Sequence, residues 1–278
     1  MNSMQNSINQ KVTQGWLYLL FSKPQMYFLT IIKHTIIIGL ITLILCYMYF
    51  HSPYKIHKIP TITHTLISLA IGLLLVFRTQ SAYERWYSAY QNFYNIKAYF
   101  NLMLFRLRSL NLTQESRENI KKIVGDFCEN FSSHLQEMDV NKALHFENLY
   151  LNNCSQLIEA FEKESRKNLE FDKSDSNFLI KIVGDILLSC SSCTRIRNTP
   201  IPISYEIHIK LSIFLYILSL PFGLFYDMGI WSVFMVMLVY YILAGIEIIS
   251  KEIENPFEGS PNDLPVQNFM NKINNSFI

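Results

Sequence analysis

Charged residues are missing from four long stretches of this 278-residue chain, at positions 34–54, 59–77, 211–226 and 228–246. A helix needs about 20 apolar residues to cross the roughly 30 Å hydrocarbon core of a bilayer. The four stretches are close to that length, and the two that begin at Ile59 and Leu211 extend past charged flanks to reach it. This distribution predicts four membrane-spanning helices and argues against an ordinary soluble domain.

Proline is also missing from a long part of the chain, since none lies between residues 61 and 199. Residues 78–210 mix both signs of charge, and apolar residues recur there at helical spacing, as in IKKIVGDFCENF (Ile120–Phe131). This pattern is typical of amphipathic helices. We therefore expect a large helical insert between the second and third spans. We also expect a helix start at Thr113 and a loop over the charged residues 162–177.

Motifs of common catalytic sites are absent, including HExxH, GxSxG, a Walker loop and GxGxxG. The five cysteines are an odd number scattered among helices, which does not predict a disulfide framework. Cys190 and Cys193 form a single CxxC, which we interpret as two ordinary helix residues rather than half of a metal site. We expect no enzyme activity, no cofactor and no metal, and the net charge of +2 gives no case for nucleic acid.

Five regions follow from the order of these segments. They are an N-terminal cytosolic or interfacial segment (1–26), spans one and two (27–77), a cytosolic helical region (78–206), spans three and four (207–250) and a cytosolic tail (251–278). Four spans put both termini and the insert on one side of the membrane. Basic residues flank the insert and are absent from the 226–229 turn, so the positive-inside rule predicts a cytoplasmic insert. Lys55 and Lys58 in the other outer turn weaken that argument.

Three stretches carry a family resemblance: FRTQSAYERW (Phe77–Trp86), TPIPISYEIHIK (Thr199–Lys210) and GIEIISKEIENPFEGSPNDLPV (Gly245–Val266). Their combination, order and spacing resemble the bestrophin family in its bacterial-type form, over about residues 15–266. The resemblance implies an all-α membrane protein with four transmembrane helices per subunit and a helical cytosolic region, assembled as a homopentamer. It also implies an ion channel of the cell membrane, whose partners are the lipid bilayer, identical subunits and permeant monovalent ions.

The resemblance places the second span around an axial pore and assigns its apolar neck to Leu69, Leu73 and Phe77. These residues follow an i, i+4, i+8 spacing and share one helix face. The residues alone favour contact with lipid or protein, and it is the resemblance that favours the pore. An apolar ring gates by dewetting, because an unsolvated ion is costly in a narrow tube. A second, cytosolic constriction falls on Val183 or Leu187, for which packing in a helical core is an equally good explanation.

Animal members of the family carry a run of acidic residues after NPFG that helps to bind Ca²⁺. In this sequence Ser260 and Pro261 interrupt the run. Four residues remain that could supply oxygens to a weak cation site: Glu252, Asn255, Glu258 and Asp263. Because Ca²⁺ takes six to eight oxygens, we expect no tight site, and we expect Asn255 and Pro256 to end the fourth span.

The neck face carries no charge, so the sequence does not choose the permeant ion. The resemblance favours chloride or other monovalent anions. A cation-selective (Na⁺ or K⁺) bacterial-type channel is the alternative, and a membrane-bound sensor or enzyme with a cytosolic site is a second alternative. A secondary transporter fits less well, because such proteins carry broken helices and intramembrane charges.

Overall fold

The computed structural model describes residues 26–52, 59–167, 171–259 and 263–277, with side chains from residue 29 onward. These residues form eight α-helices and no strand: α1 (Met26–His51), α2 (Thr61–Ser109), α3 (Gln114–Gln136), α4 (Val140–Lys167), α5 (Lys173–Asn198), α6 (Ile203–Met228), α7 (Trp231–Glu254) and α8 (Val266–Ser276). The prediction of an all-α chain is confirmed. The predicted interfacial segment at the N-terminus lies outside the described residues.

Four of these helices are long and apolar enough to cross a membrane, namely α1, α2, α6 and α7. Their apolar side chains are largely exposed on the single chain, as at Leu40 and Ile44 of α1 and at Phe214 and Leu215 of α6. In a bilayer such surfaces face lipid tails or other helices, so their exposure here is expected. The prediction of four spans is confirmed.

The chain divides into two compact units, which we name the membrane unit (Met1–Arg78 with Ile203–Ile249) and the helical unit (Thr79–Pro202 with Ser250–Ile278). In the membrane unit, α2 packs on α6 through Ile71 and Leu75, which lie in one buried cluster with Ile213 and Leu220. A small residue permits a second close approach in this unit, because a Cβ on Gly39 of α1 would lie 2.6 Å from Sδ of Met237 in α7.

The helical unit has a large aromatic core. Phe100 packs on Phe127 with ring centroids 5.3 Å apart, and Phe127 stacks on Phe131 at 5.8 Å. The C-terminal helix α8 contributes Met270 and Ile273 to the same core. Burial of apolar surface of this kind is the main favourable term in folding, and it holds α8 against α3.

The predicted helix start at Thr113 is confirmed, because its Oγ1 accepts a hydrogen bond from the backbone N–H of Ser116 at 3.2 Å. The predicted loop at 162–177 is wrong over most of its length, since α4 continues to Lys167 and α5 starts at Lys173. Its charges are compatible with helix: Glu164 is buried and accepts from the hydroxyl of Ser116, and Asp172 caps the N-terminus of α5.

Candidate functional site

The candidate site is built on α2, a single helix of 49 residues. At 1.5 Å per residue such a helix is about 73 Å long, more than twice the thickness of a hydrocarbon core. It contains no proline, and its one glycine is Gly72. Nothing in the sequence therefore interrupts the hydrogen-bond ladder where the apolar residues give way to FRTQSAYERW.

One face of α2 is buried within the subunit, at Ile71, Leu75 and, further along, Ala82 and Ala89. The predicted neck residues lie on the other side: Leu69 is 71% exposed, Leu73 55% and Phe77 57%. The neck stripe therefore points away from the core of its own subunit. This placement leaves the stripe available to a pore, to lipid or to a neighbouring subunit.

Two further apolar residues share this face. Val76 and Leu66 are both 62% exposed. Each residue of an α-helix advances by about 100°, so the step from Leu69 to Phe77 rotates the stripe by about 80°, whereas Val76 lies within about 20° of Leu69. The i, i+4, i+8 spacing used for the prediction did not include Val76, although an i, i+4, i+7 spacing would have done so.

The same face continues into the helical unit as Gln80 and Glu84, both exposed. The side-chain amide of Gln80 donates to Oε1 of Glu84 at 2.8 Å. Aromatic side chains follow beside them, with Tyr83 stacked on Tyr87 at a centroid distance of 6.1 Å. The apolar part of the face is thus followed by a polar part with one acidic group.

Arg85 connects the ends of two other helices, α5 and α7, within the helical unit. Its guanidinium donates to the carbonyl oxygens of Thr199 at 2.6 Å, Ile196 at 2.7 Å and Glu254 at 3.2 Å. The C-terminus of a helix carries unpaired carbonyls and partial negative charge, which a cation stabilises. The carboxylate of Glu254 in turn accepts from the backbone N–H of Ile201 at 2.9 Å.

We call these five residues (Arg85, Ile196, Thr199, Ile201 and Glu254) the motif junction. Each of the three sequence stretches that carried the family resemblance supplies a member of the motif junction. Arg85 comes from FRTQSAYERW, Thr199 and Ile201 come from TPIPISYEIHIK, and Glu254 comes from the stretch Gly245–Val266. No local pattern in the sequence predicts this contact. Its one signal was the joint occurrence of the three stretches, which are far apart in the chain.

The candidates for a cytosolic constriction lie on α5. Val183 is fully buried in the core of the helical unit, which leaves its side chain no surface to offer to a pore. Leu187 is half-buried and packs against the same core. The adjacent Leu188 is the exposed apolar residue in this register, at 69%. The burial therefore counts against Val183 and adds Leu188 as a candidate.

The candidate cation ligands lie around the end of α7. Glu252 is half-buried in the last turn of that helix, and the amide of Asn255 donates to Glu258 at 2.9 Å. The chain then turns through Gly259, whose φ of +90° favours glycine. No group of three or more His, Cys, Asp or Glu side chains suited to a metal occurs among the described residues, which omit 260–262. A weak site at Asp263 and its neighbours remains a hypothesis.

A buried polar cluster surrounds His134 in the helical unit. Its Nδ1 lies 2.8 Å from the carbonyl oxygen of Ala143 and its Nε2 3.0 Å from Oγ1 of Thr194. A carbonyl only accepts, so Nδ1 carries the proton and Nε2 of the neutral ring accepts from Thr194. Burial lowers the pKa of His134; the hydrogen bond with Ala143 and the charge of Glu147 raise the pKa by smaller amounts, and Arg197 lowers it.

The cysteines of the helical unit are buried thiols. Burial raises the pKa of Cys128, Cys154 and Cys193 to about 12, because the thiolate is poorly solvated in the core. Cys190 is completely buried beside them. A thiol of this kind is neither nucleophilic nor prone to oxidation near neutral pH. The CxxC of α5 therefore behaves as a pair of core residues, as we interpreted it from the sequence.

Comparisons with known proteins agree with this architecture. A family model described as Bacterial/Fungal Bestrophin protein matches residues 7–277. Relatives that carry the name voltage-dependent anion channel-forming protein include one from Synechocystis sp. and one from Nostoc sp.. The one from Synechocystis sp. is 31% identical over 75% of this chain and 74% of its own, and the one from Nostoc sp. is 28% identical over 76% and 75%. A crystal structure of a mutant bacterial bestrophin homologue from Klebsiella pneumoniae matches with a TM-score of 0.79 and 18% identity, over 89% of this chain and 98% of its own.

Proposed function

The chain belongs to the bacterial and fungal bestrophin family, and from that premise we propose that it forms an anion channel whose pore is lined by the exposed face of α2. It is an integral membrane protein with four spans, and its family indicates a channel rather than an enzyme. The observation that carries the proposal is the uncharged, exposed stripe of Leu69, Leu73 and Phe77, which points away from the core of its own subunit.

The neck acts in this proposal as a hydrophobic gate. Rings of Leu69, Leu73 and Phe77 from several subunits narrow the path and remove water from it, so an ion passes only when the ring is wide enough to stay wetted. Val76 shares the face and contributes to the same narrow segment. Leu187 and Leu188 of α5 are the candidates for a second constriction.

The assembly proposed is a homopentamer in the plasma membrane, with both termini and the helical unit in the cytoplasm. Support for an oligomer comes from the face of α2 that the subunit leaves exposed, because a single helix cannot enclose a pore. The number of five subunits comes from the family resemblance. Native mass spectrometry of the purified protein in detergent measures that number directly.

Chloride and other monovalent anions are the proposed permeant ions, which the names of the Synechocystis and Nostoc relatives support. One observation favours a cation-selective channel as the second candidate. The exposed face of α2 carries the acidic Glu84, and it carries no basic residue at its positions 62, 66, 69, 73, 76, 77, 80, 84, 87, 91 or 94. A ring of one sign in a pore attracts the opposite ion.

A planar-bilayer recording of the purified full-length protein under a KCl gradient tests the proposal. A reversal potential near the chloride equilibrium potential supports the anion channel. A reversal potential near the potassium equilibrium potential replaces it by the cation-selective channel of the same architecture. Absence of current from protein that is folded and oligomeric overturns the channel itself.

A further inference from the structure

Glu84 lies on the same face of α2 as the neck residues. It follows Phe77 by seven residues, which is two helical turns. In one continuous helix this step moves along the axis by about 10.5 Å and rotates by only about 20°, so Glu84 lies almost directly below Phe77. Gln80 has the same relation to Leu73. Glu84 is therefore the first ionisable residue that follows the neck residues along this face of α2.

The carboxylate of Glu84 has no cationic partner among the described residues. It is exposed, and its hydrogen-bond donor is the neutral amide of Gln80, at 2.8 Å. Among the described residues Glu84 takes part in no salt bridge, unlike Asp175, which pairs with Arg106. An amide orients a carboxylate without cancelling its charge, so the field of this group extends into the adjacent solvent.

Arg85, the next residue in the chain, does not place a positive charge on the face that carries Glu84. Arg85 is rotated from Glu84 by about 100° around the helix axis. Its guanidinium is committed to the carbonyl oxygens of Thr199, Ile196 and Glu254 at the motif junction. Arg85 is thus held off this face, at two helix ends, and the face that continues the neck carries Glu84 as its acidic group.

We propose that Glu84 is a determinant of charge selectivity, with one carboxylate from each subunit forming an acidic ring at the inner end of the neck. The ring enriches cations at the pore mouth and lowers the permeability of anions relative to cations. This inference rests on the proposed channel and on its α2-lined pore. It holds whichever ion carries most of the current, because it concerns the change that Glu84 makes to the permeability ratio.

Reversal potentials of the wild type and of Glu84→Gln under a KCl gradient test the ring. The variant keeps the size of the side chain and its contact with Gln80, and removes only the charge. We expect its reversal potential to move toward the chloride equilibrium potential, with the chloride-to-potassium permeability ratio rising by roughly tenfold at low salt, the lower end of the enrichment that one-sign clefts produce. The shift shrinks in concentrated salt, because the Debye length falls from about 30 Å at 0.01 M to about 3 Å at 1 M.

Glu159→Gln is the matched control, because Glu159 is an exposed carboxylate on α4 and lies off the α2 face. We expect its reversal potential to equal that of the wild type. A Glu84→Gln channel that conducts with an unshifted reversal potential overturns the role of Glu84 and leaves the channel in place. Absence of current from the folded wild-type protein overturns the channel and this inference together. An equal shift in both variants also contradicts the ring, because it shows an effect of total charge.

A cysteine variant covers the case in which Glu84→Gln does not assemble. All five native cysteines are buried. In Glu84→Cys the new thiol is therefore the one that a reagent can reach among the described residues. A methanethiosulfonate reagent that carries a sulfonate restores the charge after assembly, and one that carries an ammonium reverses it. We expect the two reagents to move the reversal potential in opposite directions. Shifts of the same sign, or no shift after complete modification shown by mass spectrometry, overturn the proposal.

Discussion

The Nη1 atom of Arg85 lies 2.6 Å from the carbonyl oxygen of Thr199, so one side chain of α2 caps the end of α5. The same guanidinium reaches Glu254, the last residue of α7. A planar group with five N–H donors satisfies several carbonyls at once, which an ammonium does not do in the same geometry. The motif junction is therefore a structural element of the helical unit.

Arg85→Lys removes at least two of these hydrogen bonds and leaves helix-end carbonyls without a donor. Hydrogen bonds to charged groups contribute about 1.5–3 kcal/mol each, so we expect the free energy of unfolding to fall by roughly 3 kcal/mol or more. Thermal unfolding of the full-length protein in detergent measures this change. Arg108→Lys is the control, because Arg108 is exposed and makes one long hydrogen bond among the described residues, 3.4 Å to the carbonyl of Ser276. Equal melting temperatures for the two variants would contradict the role of Arg85.

His134 makes the stability of the helical unit depend on pH. Burial lowers the pKa of the folded imidazole below the value of about 6.5 expected in the unfolded chain. Between the two pKa values the unfolded state binds more protons, so stability is complete above about pH 6.5 and is lost as the pH falls below it. We expect the melting temperature to fall between about pH 7.5 and about pH 5, and to fall less in His134→Gln, which keeps a donor and an acceptor but does not titrate.

His145→Gln is the control for this effect, because His145 lies on the exposed surface of α4. Its melting temperature should show the same dependence on pH as the wild type. If His134→Gln also keeps that dependence unchanged, another group is responsible for it.

Leu73→Ala should raise the single-channel conductance. Removal of the isobutyl group widens the predicted neck and favours water within it, which lowers the barrier to an ion. Leu43→Ala, on the exposed surface of α1, removes the same group away from the neck and should leave conductance unchanged. Unchanged conductance together with unchanged selectivity in Leu73→Ala would count against a pore role for that residue.

Chelation of Ca²⁺ should leave the current unaltered. The tail lacks an uninterrupted acidic run, and the described residues form no cluster suited to a metal. The measurement compares bilayer currents before and after addition of a chelator on each side. A current that disappears with chelator and returns with Ca²⁺ would place a functional site among Glu252, Asn255, Glu258 and Asp263.

Gly223→Ala should destabilise the membrane unit. A Cβ at this position would lie 2.9 Å from both Cε1 and Nδ1 of His64. The ring has little freedom to move, because it is buried and its Nε2 donates to the carbonyl of Ser219 at 3.1 Å. Overpacking of this kind costs about 1–3 kcal/mol. Gly245→Ala is the control, since nothing lies within 4 Å of its Cβ, and we expect that variant to be no less stable than the wild type.

Local signals in the sequence were enough to place most of the helices. The uncharged stretches predicted the spans, and Thr113 predicted the start of α3, because a cap depends on residues within one turn. The prediction of a loop at 162–177 is wrong because a high density of charge does not distinguish a loop from a helix, which tolerates charge on its solvent face. The neck stripe was predicted as a face of α2, and Val76 was missed because the spacing chosen drifts around the helix.

Contacts between residues that are far apart in the chain could not be predicted from such local signals. Arg85 meets Thr199 and Glu254 across more than a hundred residues, and the acceptors are backbone atoms that no side-chain pattern marks. The register of α5 was open for a similar reason, because Val183 and Leu187 differ by one turn of an amphipathic helix. Burial in the folded unit distinguishes them.

The three acceptors of the Arg85 guanidinium at the motif junction are main-chain oxygens, and this determines which positions can vary in sequence. A main-chain carbonyl is present whatever amino acid occupies its position, so the side chains at 196 and 199 can change without loss of the contact. The donor has no such freedom, because no other side chain offers a fork of N–H groups. Across relatives we expect arginine to persist at position 85, while the residues at positions 196 and 199 vary. The two sides of one contact then differ in how far their sequence can change, because only the donor depends on the identity of a side chain.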